Sequence, residues 1–562
     1  MMKRFVITAL AAALCVPAVA QNWQDALLFS ENNYSGTARG VGMGNALTAV
    51  GGDPGAIVFN PAAGAVAGYS QFYISPGLSF SSITAQGTVL SGETTATGYG
   101  DKLNTVYAGF KIPAAGFVLN MDTGRRTGLR RTSFGFLVHT TNDFTSRFNA
   151  QGVNGTTSYA SSLASSADGY SASVLGAEDW FYNGSDPARL PAWVDMTGYR
   201  SGMFNGVAGQ DGAYIALTEV MDSNGDMRLA APVYQQYGQQ TSGSKRDMLF
   251  SFSADYSDKL YVGMNLGITM LNYDLNEYWT ERPDNPADFP DIKYSDGRTE
   301  RFSSLRMKRN YRVRGGGVYL KAGLLWRPVE GLRLGAAFQT PTVMDLTERY
   351  GYSGEVRMEG RNPSTASSPE DEWGYRLVSP FRFNAGAAFT LGQFGVVSAD
   401  YEYAHYGMAR FSGRDGYVSD NFTWANQDIR DLLGASHQLR LGAELKPVPA
   451  LAFRAGYNFT TGAQENELVG NKVSALDSQV KSALNRHAFS LGFGYSGSGS
   501  FYLDAAVRVR TAPVDYIIPY FYYVAPDPNQ YWNKVDAEDI LTPEVKLVSW
   551  LPEAIVTLGW RF

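Results

Sequence analysis

Histidine is the residue type that most often supplies acid–base chemistry near neutral pH, and this chain of 562 residues has four. A hydrolase would need one of them beside a serine, with a third group that orients the imidazole ring. We find no nucleophile-elbow pattern around any serine. The histidines fall toward the ends of predicted strands, where they are ordinary interfacial residues: His139, His405, His437 and His487. The sequence therefore predicts that the protein is not an enzyme.

Two short patterns resemble ligand-binding motifs and then depart from them. Residues 222–226 (Asp-Ser-Asn-Gly-Asp) resemble the first ligands of a calcium loop, but the sixth position is Met227 and the twelfth is Val233. Residues 40–44 (Gly-Val-Gly-Met-Gly) resemble part of a dinucleotide loop, without its third glycine or a preceding strand. The sequence predicts neither a metal site nor a cofactor.

Arginine side chains recur at positions that the strand alternation turns toward one common face, together with acidic residues such as Glu402 and Glu444. Two interpretations stay open. The charges form a balanced ladder that stabilises the wall, or some arginines receive a carboxylate group, since guanidinium suits that geometry. The candidate carboxylate contacts are Arg333, Arg382, Arg440, Arg454 and Arg508.

Two predicted loops contain unusually apolar stretches. One lies near residue 180, in a long insertion over residues 149–243, and the other lies in the last long loop, at residues 516–524. These aromatics either pack loop against loop or form an outward-facing apolar groove for a hydrophobic ligand. The candidate groove residues are Trp180, Phe181, Tyr520 and Phe521.

Strict apolar–polar alternation is the main structural signal in the chain. Residues 260–270 show it best, with Leu266 on one face and Asn265 on the other. We count fourteen such segments, and from the fourth onward short turns alternate with long loops. This pattern predicts an all-β fold, a fourteen-stranded antiparallel transmembrane β-barrel with both ends in the periplasm. The last strand alternates up to Trp560 and Phe562, which resembles the terminal signal that the barrel assembly machinery recognises.

The chain begins like a secreted protein. Lys3 and Arg4 precede a short apolar run, and a small-residue cleavage site ends at Ala20, so residues 1–20 are predicted to be a signal peptide. The single cysteine, Cys15, lies within it. The formal net charge of −6 argues against a nucleic-acid partner. Together with the strands, the signal peptide predicts the outer membrane of a Gram-negative bacterium.

Residues 21–66, hereafter the hatch, are rich in glycine and alanine and lack the alternation of a wall strand. Such a segment is apolar enough to be buried and has too few large side chains to form a core of its own. Because a ring of fourteen strands leaves a lumen too wide for side chains to fill, we predict that the hatch plugs it. Residues 67–562 then form the barrel.

The hatch ends in Asn60, Pro61 and Ala62, just before the first strand. The position of this motif, the fourteen strands and the terminal Phe562 together resemble the FadL/TodX family, outer-membrane transporters of long-chain fatty acids and other hydrophobic compounds. The resemblance implies capture of a ligand at extracellular loops, movement of the hatch and lateral exit through a gap at a kinked third strand. That strand would span residues 132–144, with Gly135 as a weak point.

The implied partners are a hydrophobic small molecule such as a long-chain fatty acid, outer-membrane lipid and, during biogenesis, the assembly machinery. We expect the barrel to be a monomer. Two other functions remain open: a surface receptor or adhesin that binds haem or a host ligand and uses the barrel as an anchor, and a barrel hydrolase. A mere anchor would need no hatch, which favours transport.

Overall fold

The computed structural model describes residues 22–89, 98–181, 190–223, 225, 227–293, 297–414, 420–469, 472–520 and 543–562. The predicted signal peptide, residues 1–20, lies outside the described residues, and so does Phe521. Within them the chain forms a closed antiparallel barrel of fourteen wall strands, which confirms the predicted fold class. The ring closes where the first strand pairs with the last, from Gln71 opposite Arg561 upward.

The first half of the chain contains these strands: β1 (Gln71–Gly87), β2 (Leu103–Asp122), β3 (Leu129–Asp143), β4 (Ser146–Asn154), β5 (Phe204–Gly206), β6 (Tyr214–Ala216), β7 (Glu219–Met221), β8 (Met227–Leu229), β9 (Val233–Tyr256), β10 (Leu260–Pro283), β11 (Ile292–Lys293), β12 (Thr299–Glu300), β13 (Phe302–Val329) and β14 (Leu332–Gln339). The second half contains β15 (Val343–Met358), β16 (Ser364–Ser367), β17 (Asp371–Val378), β18 (Arg382–Thr390), β19 (Gly395–His405), β20 (Arg410–Ser412), β21 (Ala435–Val448), β22 (Leu451–Thr460), β23 (Asn466–Val469), β24 (Lys472–Ala475), β25 (Arg486–Ser496), β26 (Phe501–Thr511), β27 (Asp515–Ile517) and β28 (Val545–Arg561).

The helices are short. They are α1 (Trp23–Ser30), α2 (Ala38–Gly42), α3 (Ala56–Phe59), α4 (Tyr159–Ala167), α5 (Ala172–Leu175), α6 (Trp193–Ser201), α7 (Asp420–Leu432) and α8 (Ser478–Ala483), with 3-10 turns at Pro61–Ala65, Pro286–Asp288 and Tyr406–Met408. Among the described residues, no helix is long and apolar enough to cross a membrane.

Each predicted wall strand is present, and several reach further than the sequence suggested. The seventh combines β14 with β15, and the eighth combines β17 with β18, each continuing past a short break. Strand β9 begins at Val233, and β4 pairs with its upper part. The predicted insertion over residues 149–243 is therefore partly wall, and its non-barrel portion spans residues 155–232.

The two faces of the wall differ as the alternation predicts. On β10, Leu266 is exposed on the outside, whereas Asn265 is fully buried inside. The outer face carries a belt of apolar side chains, among them Phe110, Phe252 and Trp326. The strands close into a ring, which is the arrangement that lets strands cross a bilayer. The protein is an outer-membrane barrel, with its short turns at the periplasmic rim and its long loops outside.

Because the belt faces lipid, the free-energy cost of a charged substitution should depend strongly on its depth in the membrane. We expect Leu266→Arg to lower the free energy of unfolding by about 2–4 kcal/mol, because its guanidinium would face lipid near the middle of the belt. Asn276→Arg, on the same face of β10 but nearer the extracellular end, should cost about 1 kcal/mol or less. Reversible unfolding of the two variants in lipid vesicles measures the difference, and equal costs would contradict the assignment of the belt.

Candidate functional site

The hatch runs through the lumen from its extracellular part to the periplasmic rim. Helix α1 begins at an Asn22–Asp25 capping box, and its Phe29 packs against Phe144 and Tyr273 of the upper wall. At the other end, the backbone of Ser70 pairs with that of Phe562 at the rim, with N–O distances of 3.0 and 2.9 Å. The prediction that this segment fills the barrel is confirmed by its course.

Glycines on the inner wall let the hatch backbone approach closely. A Cβ atom on Gly323 would lie 2.1 Å from the Asn60 side chain, and one on Gly456 would lie 2.0 Å from the backbone nitrogen of Gly44. Any larger residue at either position would have to push the hatch away from the wall. Close approach depends on glycines of both the wall and the hatch.

Asn60 links two parts of the hatch to the wall. Its amide nitrogen donates to the carbonyl oxygen of Thr48 at 2.8 Å and to that of Leu324 on β13 at 2.9 Å. Its side-chain oxygen accepts from the backbone of Ala62 at 3.1 Å, which caps the 3-10 turn that Pro61 begins. The Asn60–Pro61–Ala62 motif is therefore a buried fastening point, and its role in uptake stays a prediction.

Further wall side chains bind carbonyl groups of the hatch. The Lys321 ammonium donates to Val58 at 2.8 Å, and the Asn265 amide donates to Ile57 at 2.9 Å. Lys245, which the sequence analysis did not select, donates to the carbonyl oxygens of Phe29 and Glu31. Such bonds are needed because a buried carbonyl without a donor is costly.

The five predicted arginines all point into the lumen, and each has partners there. Arg382 and Arg440 share Glu402, and Arg454 bridges Glu444 and Asp504. Three of them also donate to hatch carbonyl oxygens: Arg333 to Val50, Arg382 to Ser30, and Arg508 to Tyr34. This arrangement is the balanced charge ladder that the sequence analysis weighed, and contact with a ligand carboxylate stays a prediction.

Arg508 lies beside the piece of hatch that includes Tyr34. It borders a small polar cavity of about 120 Å³ beside the hatch. Arg510 also lines this cavity, and it makes no ion pair within the described part of the chain. Asn33 and Tyr34 form the hatch side of the cavity. Arg486, which pairs with Glu31, is a third arginine of the lining, so the cavity combines three guanidinium groups with a segment of the hatch.

Glu553 on β28 is a central lumen residue that the sequence analysis missed. It accepts from the Ser35 hydroxyl at 2.8 Å and forms ion pairs with Lys111 and Arg508 at 3.1 and 3.0 Å. The signal was present in the sequence, because the alternation that turns Ala554 outward turns Glu553 inward.

The boundary between β2 and β3, hereafter the seam, is paired over only part of its length. The ladder runs from Asp122 opposite Arg131 to Ala114 opposite His139 and stops there. The next residue of β2 is Pro113, which has no N–H to donate, and a register shift in the β1–β2 pairing falls at this point. Above it, β2 continues to Leu103 without pairing to β3.

The hatch occupies the edge of β3 that β2 leaves open. The backbone nitrogen of Ser35 donates to the carbonyl oxygen of Thr140 at 3.1 Å, and that of Asn33 donates to Thr141 at 2.6 Å. Gly36 lies against the ring of His139, where a Cβ atom would approach to 2.2 Å. A short extended piece of hatch therefore bridges the seam.

Gly135 lies away from this interruption. It pairs with Val118 on one side and with Ser251 on the other, within continuous ladders. The register of β3 with β9 shifts near both ends, between Leu129 and Arg131 and between Thr140 and Asn142. The role predicted for Gly135 stays a prediction, and pairing with β2 stops after His139, four residues beyond it.

The described residues of the insertion, 155–181, 190–223, 225 and 227–232, fold into an apolar dome inside the extracellular mouth. Helices α4 and α6 pack against inward-facing residues of the upper wall, such as Trp279 and Met307. Tyr520 is buried in this dome, where its hydroxyl contacts Asn154 and Gln235. Loop-on-loop packing therefore accounts for this candidate groove residue.

The other two described groove candidates lie at the margin of the dome. Trp180 packs edge-on against Trp193 and lies under the guanidinium of Arg200. Phe181 also contacts Trp193 but is 61% exposed. An exposed aromatic thus lies beside a packed pair of tryptophans, and its part in ligand capture stays a prediction.

At the periplasmic rim, Trp560 of the predicted assembly signal packs against aromatic side chains of neighbouring strands. Trp560 stacks on Phe72 of β1, with ring centroids 4.7 Å apart, and meets Phe501 edge-on. Phe562 is 70% exposed. These contacts place both residues on the outer face where the first and last strands meet, and recognition by the assembly machinery stays a prediction.

The histidines do not form a catalytic arrangement with one another. His437 is hydrogen-bonded to Tyr401, and His487 is hydrogen-bonded to Tyr457, both near the outer surface. His139 is buried against the hatch. Within the described ranges, no three His, Cys, Asp or Glu side chains group closely enough to hold a metal ion.

Comparison with known proteins gives matches to solved structures only. No family model matches the chain, and no curated protein matches it. A FadL homologue of Pseudomonas aeruginosa is 12% identical over 94% of this chain and 99% of its own, with a TM-score of 0.48. The toluene transporter TbuX of Ralstonia pickettii is 14% identical over 94% of this chain and 98% of its own, with a TM-score of 0.45. The toluene transporter TodX of P. putida is 13% identical over 95% of this chain and 99% of its own, also with a TM-score of 0.45.

The chain resembles the FadL/TodX family. At identities of 12–14% this likeness concerns the fold alone.

Removing the hydrogen bonds of the Asn60 side chain should loosen the hatch locally. We expect Asn60→Ala to assemble normally but to speed amide hydrogen exchange in the hatch roughly tenfold, because losing a buried hydrogen bond costs about 1–3 kcal/mol. Asn104→Ala is the control, since Asn104 accepts hydrogen bonds on the outer face of β2. Unchanged exchange in the hatch of Asn60→Ala would show that the motif does not hold it.

The dome contains a buried acid whose ionisation should depend on pH. Burial raises the pKa of the Asp195 carboxyl from 3.8 to about 7, and the hydrogen bond from Ser166 offsets part of the rise. Because the folded dome binds this proton more tightly than the unfolded chain does, its stability is full below about pH 4 and is lost as the pH rises to about 7.

Replacement of Asp195 by asparagine should therefore protect the dome at high pH. We expect Asp195→Asn to resist limited proteolysis better than the wild type at pH 8, with the two converging toward pH 4, since the amide has no charge to bury. Asp211→Asn, at an exposed site of the same insertion, is the control. A difference between Asp195→Asn and wild type that does not grow with pH would contradict this account.

Proposed function

We propose that this protein takes up hydrophobic small molecules passively across the outer membrane, with long-chain fatty acids as the leading candidates. The observation that supports this proposal most is the seam between β2 and β3, which is unpaired above Pro113 and bridged there by the hatch. A plug that closes an opening in the wall is a device for transport, and a receptor that uses the barrel only as an anchor has no need of it.

Lateral exit suits an apolar cargo for an energetic reason. Each methylene group buried in the membrane is stabilised by about 0.8 kcal/mol, so passage into water would forfeit that energy along the whole chain. An opening in the wall delivers the ligand directly into lipid. The unpaired part of β2 lies at that level, since Phe110 on its outer face is 70% exposed and belongs to the apolar belt.

We infer that the gating movement is a withdrawal of hatch residues 33–36 from the edge of β3. Two backbone hydrogen bonds hold this piece to Thr140 and Thr141, and the Ser35–Glu553 bond holds it to β28. Local openings of this size are accessible without unfolding of the barrel. The rest of the hatch, fastened through Asn60 and Lys321, can stay in place while this piece moves.

The polar cavity beside Tyr34 is the proposed position of the ligand's carboxylate. Arg508 and Arg510 line it, and guanidinium groups bind carboxylates in a bidentate manner. Because Asn33 and Tyr34 form one side of the cavity, an arriving anion would contact the piece of hatch that bridges the seam. Initial capture is assigned to the exposed aromatic surface at Phe181.

The same proposal covers the partners during and after assembly. The protein acts as a monomer in outer-membrane lipid, and the strand that ends in Trp560 and Phe562 is the segment offered to the assembly machinery. The stacking of Trp560 on Phe72 supports a role for the last strand in closing the ring.

A reversible lock on the hatch tests the proposal. Ser35 and Thr140 face each other as an antiparallel bridge, a spacing that suits a disulfide. We expect cells that carry the Ser35→Cys/Thr140→Cys protein to take up a labelled long-chain fatty acid, under oxidising conditions, no faster than cells lacking the protein. Addition of a reductant should restore uptake. The lock tethers the hatch to β3 without removing either element.

The control lock joins two wall strands that are already paired. Ala443→Cys/Ala455→Cys crosses the β21–β22 ladder on the outer face and leaves the hatch free. Its uptake should be the same in the oxidised and reduced states. Full uptake by the oxidised Ser35–Thr140 lock would overturn hatch movement at the seam. Uptake by the reduced protein no faster than by cells lacking it would instead favour a receptor that uses the barrel as an anchor.

A further inference from the structure

Strand β13 carries a row of basic side chains on the outside of the barrel. Its alternation places Arg306, Lys308, Arg312 and Arg314, hereafter the basic row, on the same outer face as Leu320. All four basic residues are exposed. The other outward position among them is Asn310, so no acidic residue of β13 shares this face.

The basic row begins where the apolar belt ends. Along the outer face of β13 the belt comprises Trp326, Leu324, Leu320 and Val318, all more than 40% exposed. Arg314 follows only four residues beyond Val318, a rise of about 13 Å along the strand at most. The row therefore rises from the level of the lipid headgroups on the extracellular side of the membrane.

Neighbouring carboxylates neutralise the row only in part. Asp274 on β10 lies 2.6 Å from Arg314 and 3.7 Å from Arg312. Arg306 and Lys308 form no ion pair within the described part of the chain, and Arg306 lies over the ring of Tyr278. Glu355 of β15 lies directly opposite Arg306 in the ladder but pairs with Arg357 instead. Two of the four cations are thus held outward without forming an ion pair.

A like-charge pair extends the row onto the next strand. Arg312 lies directly opposite Arg349 of β15 in the ladder, and both side chains are more than half exposed. Like charges directly opposite each other destabilise a sheet unless an anion lies between them. Glu372 pairs with Arg349 from its other side. The geometry leaves a place for an external anion between β13 and β15.

We propose that the basic row binds the phosphate groups of glycolipids in the outer leaflet. Such phosphates lie at the level where the row begins, and guanidinium groups bind phosphate in a fixed bidentate geometry. The acyl chains of the same lipid would cover the apolar belt below Val318. The site is on the outside of the barrel and is independent of the hatch and of the uptake route.

The test compares two double variants that each remove two exposed positive charges. Lys308→Gln/Arg312→Gln alters the row, and Arg125→Gln/Arg126→Gln alters the periplasmic turn between β2 and β3 as the matched control. The full-length protein in detergent micelles is titrated with bis-phosphorylated lipid A and followed by native mass spectrometry. Faster migration of unboiled than of boiled samples on SDS gels confirms that each variant is an assembled barrel.

We expect the row variant to bind lipid A roughly 30-fold more weakly than wild type, since each basic residue near an anionic lipid surface contributes about a factor of five. The control variant should bind as the wild type does, and fully dephosphorylated lipid A should bind the wild type as weakly as lipid A binds the row variant. Equal binding by the two variants, or tight binding of the dephosphorylated glycolipid, would overturn the proposal. Inorganic phosphate that bound as tightly as lipid A would also overturn it, because the site would then take free phosphate.

Discussion

The backbone of the hatch has to be hydrogen-bonded inside a lumen made of protein, and many other features of the wall depend on that requirement. Fourteen strands enclose more space than their own side chains fill, so a length of chain occupies it. That chain contains only short helices and a 3-10 turn joined by irregular segments, which leaves many of its carbonyl groups without internal donors. Lys245, Asn265 and Lys321 project inward from the wall to supply them.

This requirement also explains how one segment of the hatch can close the seam and can also move away from it. Where Pro113 ends the ladder between β2 and β3, the carbonyl groups of Thr140 and Thr141 would be unpaired, and the hatch supplies their donors. The bridge is held by two backbone bonds to β3 and by buried side-chain bonds from Ser35 to Glu553 and from Arg508 to the Tyr34 carbonyl. Asn60 holds a separate part of the hatch, so the two places can loosen independently.

The wall was predictable from the sequence because lipid on one side and lumen on the other impose a period of two. Leu266 and Asn265 took the faces that their parity predicted, and so did the five lumen arginines. Their individual partners were not predictable, since the hatch has no period from which to place Tyr34 beside Arg508. The sequence resemblance implied a gap at the third strand and named Gly135, whose role stays a prediction. The exact height at which pairing stops depends on Pro113 of β2, which has no N–H to donate and which the sequence analysis did not single out.

The course of the hatch constrains the order of events when the molecule is made. Helix α1 lies high in the lumen and Ser70 at the opposite rim, so the chain between them would have to be threaded lengthwise into a finished ring. The tight contacts at Gly323 and Gly456 leave no clearance for such a passage. The ring must therefore close around the hatch. Because β28, the last strand synthesised, brings Glu553 and Thr557 to the hatch, the step that seals the cylinder also completes the binding of its contents.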